Sequence, residues 1–276
     1  MLHHASTDSS NRSNSSTNTV LWAAAVALTI PIIAYVGMKL LAAYRENIST
    51  PVTFMTAEDT SSFILNDEDR YVESMTHVDI YARHCRTHTE YLQRAAAAAL
   101  DIPPHLQETL AKSARNADTF FRNKLRIQPS PGIPGQRVAE LPWTFAMTHG
   151  YTYEEGMPHT RQYVIFLSDG TPFTEKALTR TLVHEKIHLY QRLYPEHTEV
   201  YLAAQGYKMK GLRSDNPLSR ANPDLDRYTY IDPTTKQPMA AVYTSKHPTG
   251  ITDVILTNPA FEHPYEAMAY KIASQL

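Results

Sequence analysis

Residues 182–194 read Leu182-Val183-His184-Glu185-Lys186-Ile187-His188-Leu189-Tyr190-Gln191-Arg192-Leu193-Tyr194, and the reading of this stretch decides the fold. Positions i and i+4 of an α-helix lie about 40° apart around its axis, so the imidazoles of His184 and His188 share one face. Glu185 points about 100° away from His184, placed to reach a water rather than to bind the same ion. Two neutral nitrogen ligands, a third ligand elsewhere and a separate carboxylate base are the division of labour that zinc hydrolysis needs. Leu178, Leu182, Leu189 and Leu193 form one apolar stripe, and Val183, Ile187, Tyr190 and Tyr194 form another. Thr181, His184, His188 and Gln191 lie between them as a polar slot. A helix apolar nearly all round is a buried one, so the polar groups it carries demand partners.

Working outward, Tyr163–Leu167 reads as a short apolar strand, and Ser168-Asp169-Gly170 as a turn. Thr171 suits a helix cap, Pro172 the first helical position and Glu175 the first turn, while Pro195 ends the helix. Downstream, Glu262-His263-Pro264-Tyr265-Glu266-Ala267-Met268-Ala269-Tyr270 holds two more carboxylates beside a proline fitted to start a helix. Glu266 then falls in the first turn, whereas Glu262 sits on an extended lead-in. Between the two helices, Tyr228–Ile231 and Met239–Tyr243 flank Asp232–Lys236 and predict a β-hairpin. Arg213–Arg227, rich in polar groups, reads as a rim or lid.

The HExxH helix behind an edge strand resembles the zincin metallopeptidases. Gln191 and Tyr194 stand where the metzincin continuation has Gly and His, so that branch is excluded. The C-terminal run is similar to the NPxExxAY pattern of gluzincin-like families, with His263 in place of Asn. Matched position by position, the resemblance implies that Zn2+ is held by His184, His188 and Glu266, with Glu262 as second choice, and that Glu185 is the general base. It also implies an α+β, zincin-like domain with an edge strand, an active-site helix, a glutamate helix and a hairpin insert. The Tyr163–Leu167 strand would pair with an extended peptide or protein substrate by strand addition. Tyr270 stands where thermolysin-like enzymes carry an acid that orients a histidine, which leaves the shell behind the ligands unassigned. The resemblance covers about residues 140–276.

Outside it, Val20–Met38 is an uncharged apolar run, and about 20 such residues cross a bilayer. Trp22 lies near one end and Tyr35 and Tyr44 towards the other, as interface aromatics prefer. The run predicts a transmembrane helix over 20–44, with residues 20–38 as the membrane contact. Lys39 and Arg45 follow the span while Arg12 alone precedes it, so the positive-inside bias places the C-terminal bulk on the cytosolic side. Residues 1–19 read as a disordered polar tail, 45–68 as a linker, 69–128 as a helical subdomain and 129–276 as the catalytic domain. Within the subdomain the pattern predicts one helix from Asp69 to about Leu100 and a second from about Pro104 to Leu125.

A net charge of −2 gives no field that draws the chain to nucleic acid, and a single cysteine, Cys85, excludes an internal disulfide. No Walker loop, GxGxxG or GxSxG occurs, which removes support for the NTPase, Rossmann and α/β-hydrolase classes. His77, His84 and His88 fall at helical spacing around Cys85 but read as a solvated polar face. Pro158–Arg161 reads as an ordinary turn or as a cleft rim holding an oxyanion donor or substrate-binding group, and Tyr228, Tyr230, Tyr265 and Tyr270 are packing residues or carbonyl-polarising donors. Two functions follow. The first is a membrane-anchored zinc metallopeptidase; the second is a catalytically silent zincin-fold tethering protein whose zinc only staples two helices.

Overall fold

A computed structural model describes residues 50–123, 125 and 132–276. The expected polar tail (1–19), the apolar span (20–44) and the first part of the expected linker lie outside the described residues. Among the described residues no helix is long and apolar enough to cross a membrane.

In chain order the elements are β1 (Val52–Phe54), α1 (Ala57–Asn66), α2 (His77–Ala82), α3 (His88–Ala97), β2 (Ala99–Leu100), α4 (Pro104–Asn123) and α5 (Gly135–Ala139). Then come β3 (Trp143–Thr148), β4 (His159–Arg161), β5 (Val164–Ser168), α6 (Glu175–Leu193) and α7 (Pro195–Ala204). The last are β6 (Lys208–Leu212), β7 (Tyr228–Ile231), β8 (Pro238–Met239), β9 (Ala241–Tyr243), β10 (Val254–Leu256) and α8 (Pro264–Ala273). The class is mixed α and β, as expected.

The main sheet runs β1-β3-β5-β4, with β2 also pairing β3. β1, β3 and β5 are parallel, and β4 is antiparallel to β5. Side chains alternate across it with period two. Phe145, Met147, Ile165 and Leu167 join Leu110, Phe121, Leu182 and Ile187 in one core. Ala146, Val164 and Phe166 join Ile64, Val72, Tyr91 and Ala95 in another. Both faces are therefore covered, which is why β5 is a continuous apolar run rather than an alternating one.

Three expectations need correction. Tyr163–Leu167 was expected as the edge strand, but β5 (Val164–Ser168) is interior, and the edge is the polar β4. Its residues escape a hydrophobicity pattern because they are buried by ion pairing: Arg161 binds Asp67 at 2.6 Å and also Asp69, and donates to the Tyr153 hydroxyl at 2.8 Å. From Thr50 onward the expected linker is part of the folded unit, contributing β1 to the sheet and α1 to its second face. The chain over 69–128 is likewise no separate subdomain, since α1–α3 pack on the sheet and Thr50–Leu276 form one unit.

The single helix expected over 69–100 is broken as well. Thr76 and Asp79 close a reciprocal capping box that starts α2, Thr87 caps α3, and His84 between them adopts φ 55°. Thr171, expected as a cap, instead accepts from the Ser168 N–H and closes the turn, so α6 begins at Glu175. Pro195 follows the end of α6 and occupies the first turn of α7. The hairpin forms between β7 and β8, while β9 leaves it to pair with β10.

Candidate metal centre and cleft

α6 and α8 pack side by side beneath the cleft, with Ala269 fully buried where they meet. His263 caps α8: its Nδ1 accepts from the Tyr265 N–H at 3.1 Å while Nε2 lies 3.2 Å from Asp226. An imidazole thus does here what a carboxamide oxygen does at other N-caps, and Glu266 is held in the first turn.

The three residues expected as ligands converge. His184 Nε2 and His188 Nε2 lie 3.0 Å apart, and Glu266 oxygens lie 3.3 Å from His184 Nε2 and 3.8 Å from His188 Nε2. One ligand atom from each fits within 4.8 Å of the others, and this is the one such group of three among the described residues. Glu262, the second choice, lies outside this group. It accepts from Arg220 at 2.6 Å and from Asn222 at 2.8 Å, and so has its own partners.

The donor set fits zinc on chemical grounds. His188 is fully buried, and its Nδ1 lies 2.8 Å from Gln191 Oε1, which as an acceptor leaves Nε2 with its lone pair turned to the cluster. The Gln191 amide in turn donates to the Tyr265 carbonyl at 3.1 Å, joining α6 to α8. Against His184 the corresponding neighbour is Tyr270, edge-on with ring centroids 4.5 Å apart. Burial pushes His188 down to about 3. Burial would raise Glu266, but the charges of His188 and His184 outweigh it and hold the carboxyl at about 2. Burial also acts to lower His184, yet the hydrogen bond to Glu266 and the charge of Glu185 push it up to about 9. Two of the three donors are therefore already unprotonated at neutral pH.

Glu185 does not join the ligand group. Its Oε2 accepts from the Thr160 hydroxyl of β4 at 3.0 Å, and the same hydroxyl lies 3.2 Å from the Glu185 carbonyl. Burial, reinforced by the charge of Asp224, raises its carboxyl well above the usual range. Asp224 is itself pushed up to about 7 by burial and by Glu266. His184, Glu185, Glu266 and Tyr270 open on one cavity of about 710 Å³, within the size range of small-molecule sites. Of the four tyrosines singled out in the sequence, Tyr270 alone lines it.

Other candidates are not brought together. Cys85 is buried with its thiol raised by burial, and His88 Nε2 bonds the Met75 carbonyl. Thr160 falls in the expected Pro158–Arg161 turn, and Asn222 and Asp224 in the expected rim, but their contacts with Glu185, Glu262 and Thr160 arise only through the fold. Gln191 carried a signal, three residues after His188 on the same face. In comparisons with known proteins, no family model matches the chain, no curated protein matches its sequence and no solved structure matches its fold.

Proposed function

We propose that this protein is a zinc-dependent, gluzincin-like metallopeptidase. The observation that carries the reading is the convergence of His184, His188 and Glu266 with Glu185 beside them, separately held, in one cavity. His184, His188 and Glu266 would hold the ion. Bound there, zinc supplies Lewis-acid polarisation of a carbonyl and a lowered pKa for water.

The remaining work belongs to the chain. Glu185, kept on the β4 side of the cavity by Thr160, accepts a proton from the attacking water and returns it to the leaving amine. Gln191 and Tyr270 fix the two imidazoles. A closed structural zinc favours four protein ligands and needs no base, which speaks against the tethering alternative. Residues 20–38 would place the activity at a membrane.

The test is Glu185→Gln in the full-length chain, with a mixed peptide library read by mass spectrometry. Wild-type protein is expected to show chelator-sensitive cleavage, and the variant to keep its zinc while losing about 10²–10⁴-fold in turnover. Undiminished cleavage by Glu185→Gln would overturn the assignment of the base, and no cleavage by zinc-loaded wild type would overturn the peptidase reading.

A further inference from the structure

Strand addition needs a free edge, and β4 does not offer one. All three of its residues are buried, and the Thr160 N–H donates to the Asp224 carboxylate at 2.6 Å. Asp224 ends a strap, residues 219–224, fastened along its length. The Ser219 carbonyl accepts from Arg213 at 2.8 Å, and the Ala221 N–H donates to Asp79 at 2.7 Å. The Ala221 carbonyl accepts from Arg83 at 3.1 Å, Arg220 pairs with Glu262 at 2.6 Å, and the Pro223 carbonyl accepts from Arg192. A through-running extended polypeptide would have to displace these bonds, several of them between buried charged groups and therefore costly to break.

The first turns of α6 also line the cavity, and there Ala177 and Arg180 are exposed. Arg180 lines it one turn before His184. The other arginine on its wall, Arg220, is paired, whereas exposed Arg180 has no hydrogen-bond or ion-pair partner among the described residues. Deeper in, the wall carries the carboxyls of Glu185, Asp224 and Glu266, so Arg180 is the unpaired guanidinium that the cavity offers to an anion. Leu256, Phe261 and Ala177 add apolar surface to the same cavity. Four helical residues rise about 6 Å, close to the span of two extended residues.

We infer that the cleft takes short peptides end-on, with Arg180 holding the free C-terminal carboxylate about two residues beyond the scissile carbonyl. The inference rests on the peptidase reading and deepens it to a substrate class: short, apolar peptides with an unblocked C-terminus. The reaction is hydrolysis. The C–N bond breaks, the hydroxyl of water goes to the carbonyl carbon, and its proton goes to the amine of the released fragment. Arg180 acts on binding alone.

The probes are an N-acetylated tetrapeptide of alanine and phenylalanine as the free acid, its C-terminal amide, and an amide-capped decapeptide containing the same sequence. Binding is read by calorimetry on the full-length Glu185→Gln protein, and cleavage on the wild type. The acid is expected to bind about 10-fold or more tighter than the amide. Arg180→Gln should abolish that preference through KM with kcat little changed, and Arg180→Lys should restore part of it. Equal binding of acid and amide, or equal kcat/KM for the decapeptide amide, overturns the inference while leaving a peptidase. Binding that prefers the acid, without cleavage of any probe, supports the end-on site and removes the peptidase reading.

Discussion

The side chain of Gln191 lies 2.8 Å from His188 Nδ1, on the opposite side of the imidazole from the ligand cluster. This fixes ring orientation and tautomer together, because an amide oxygen can only accept and so selects the Nδ1–H form. Its other end is tied to the Tyr265 carbonyl, so the bond also registers α6 against α8.

Gln191→Leu is therefore expected to weaken zinc binding by about 10–100-fold, the usual cost of losing a group that orients a metal-bound histidine. Competition with a chromophoric chelator measures it. Unchanged affinity in a folded Gln191→Leu protein would mean that Gln191 serves packing only.

The affinity should also depend on pH with a definite sign. His184 is raised to about 9 by its acidic neighbours, after burial has acted the other way, while His188 at about 3 and Glu266 at about 2 carry no proton to lose. Below about pH 9 zinc must displace one proton, from His184. The dissociation constant should rise about tenfold for each unit that pH falls from 8 to 6. A flat profile, or a slope of two protons, would contradict this assignment.

On the far side of α6, Lys186 is fully buried, 2.6 Å from Asp118 on α4 and stacked over Trp143 at 3.9 Å. Burial lowers its ammonium to about 8 despite the Asp118 charge. Lys186→Met leaves a buried carboxylate without its cation and is expected to cost about 3–5 kcal/mol of stability. Adding Asp118→Asn should recover much of that loss in urea unfolding. Additive losses in the double variant would show that the two side chains act independently.

The candidate site was legible where it is local. The His184/His188 spacing, Glu185 between them and the helix that Pro264 starts all follow from periodicity within a few residues, and the structure gathers His184, His188 and Glu266. What hid was held by distant partners. β4 reads as a turn because His159, Thr160 and Arg161 are polar, and only Asp67, Asp69 and Asp224 make their burial possible. β1 is three residues long, too short to show a period, and gains its stability from pairing with β3. The alanines before Leu100 favour a helix, but Thr76 and Thr87 each start a new one, and the tract ends in β2. No local pattern points from Asp224 to Thr160, 64 residues away.

The central claim is that His184, His188 and Glu266 bind one zinc ion, and elemental analysis of the purified full-length chain tests it most directly. The account predicts one zinc per chain in the wild type and in Glu185→Gln, and less than a tenth of that in His188→Ala and Glu266→Ala that remain folded by circular dichroism. Stoichiometric zinc in either folded alanine variant, or none in wild type after zinc loading, would contradict it.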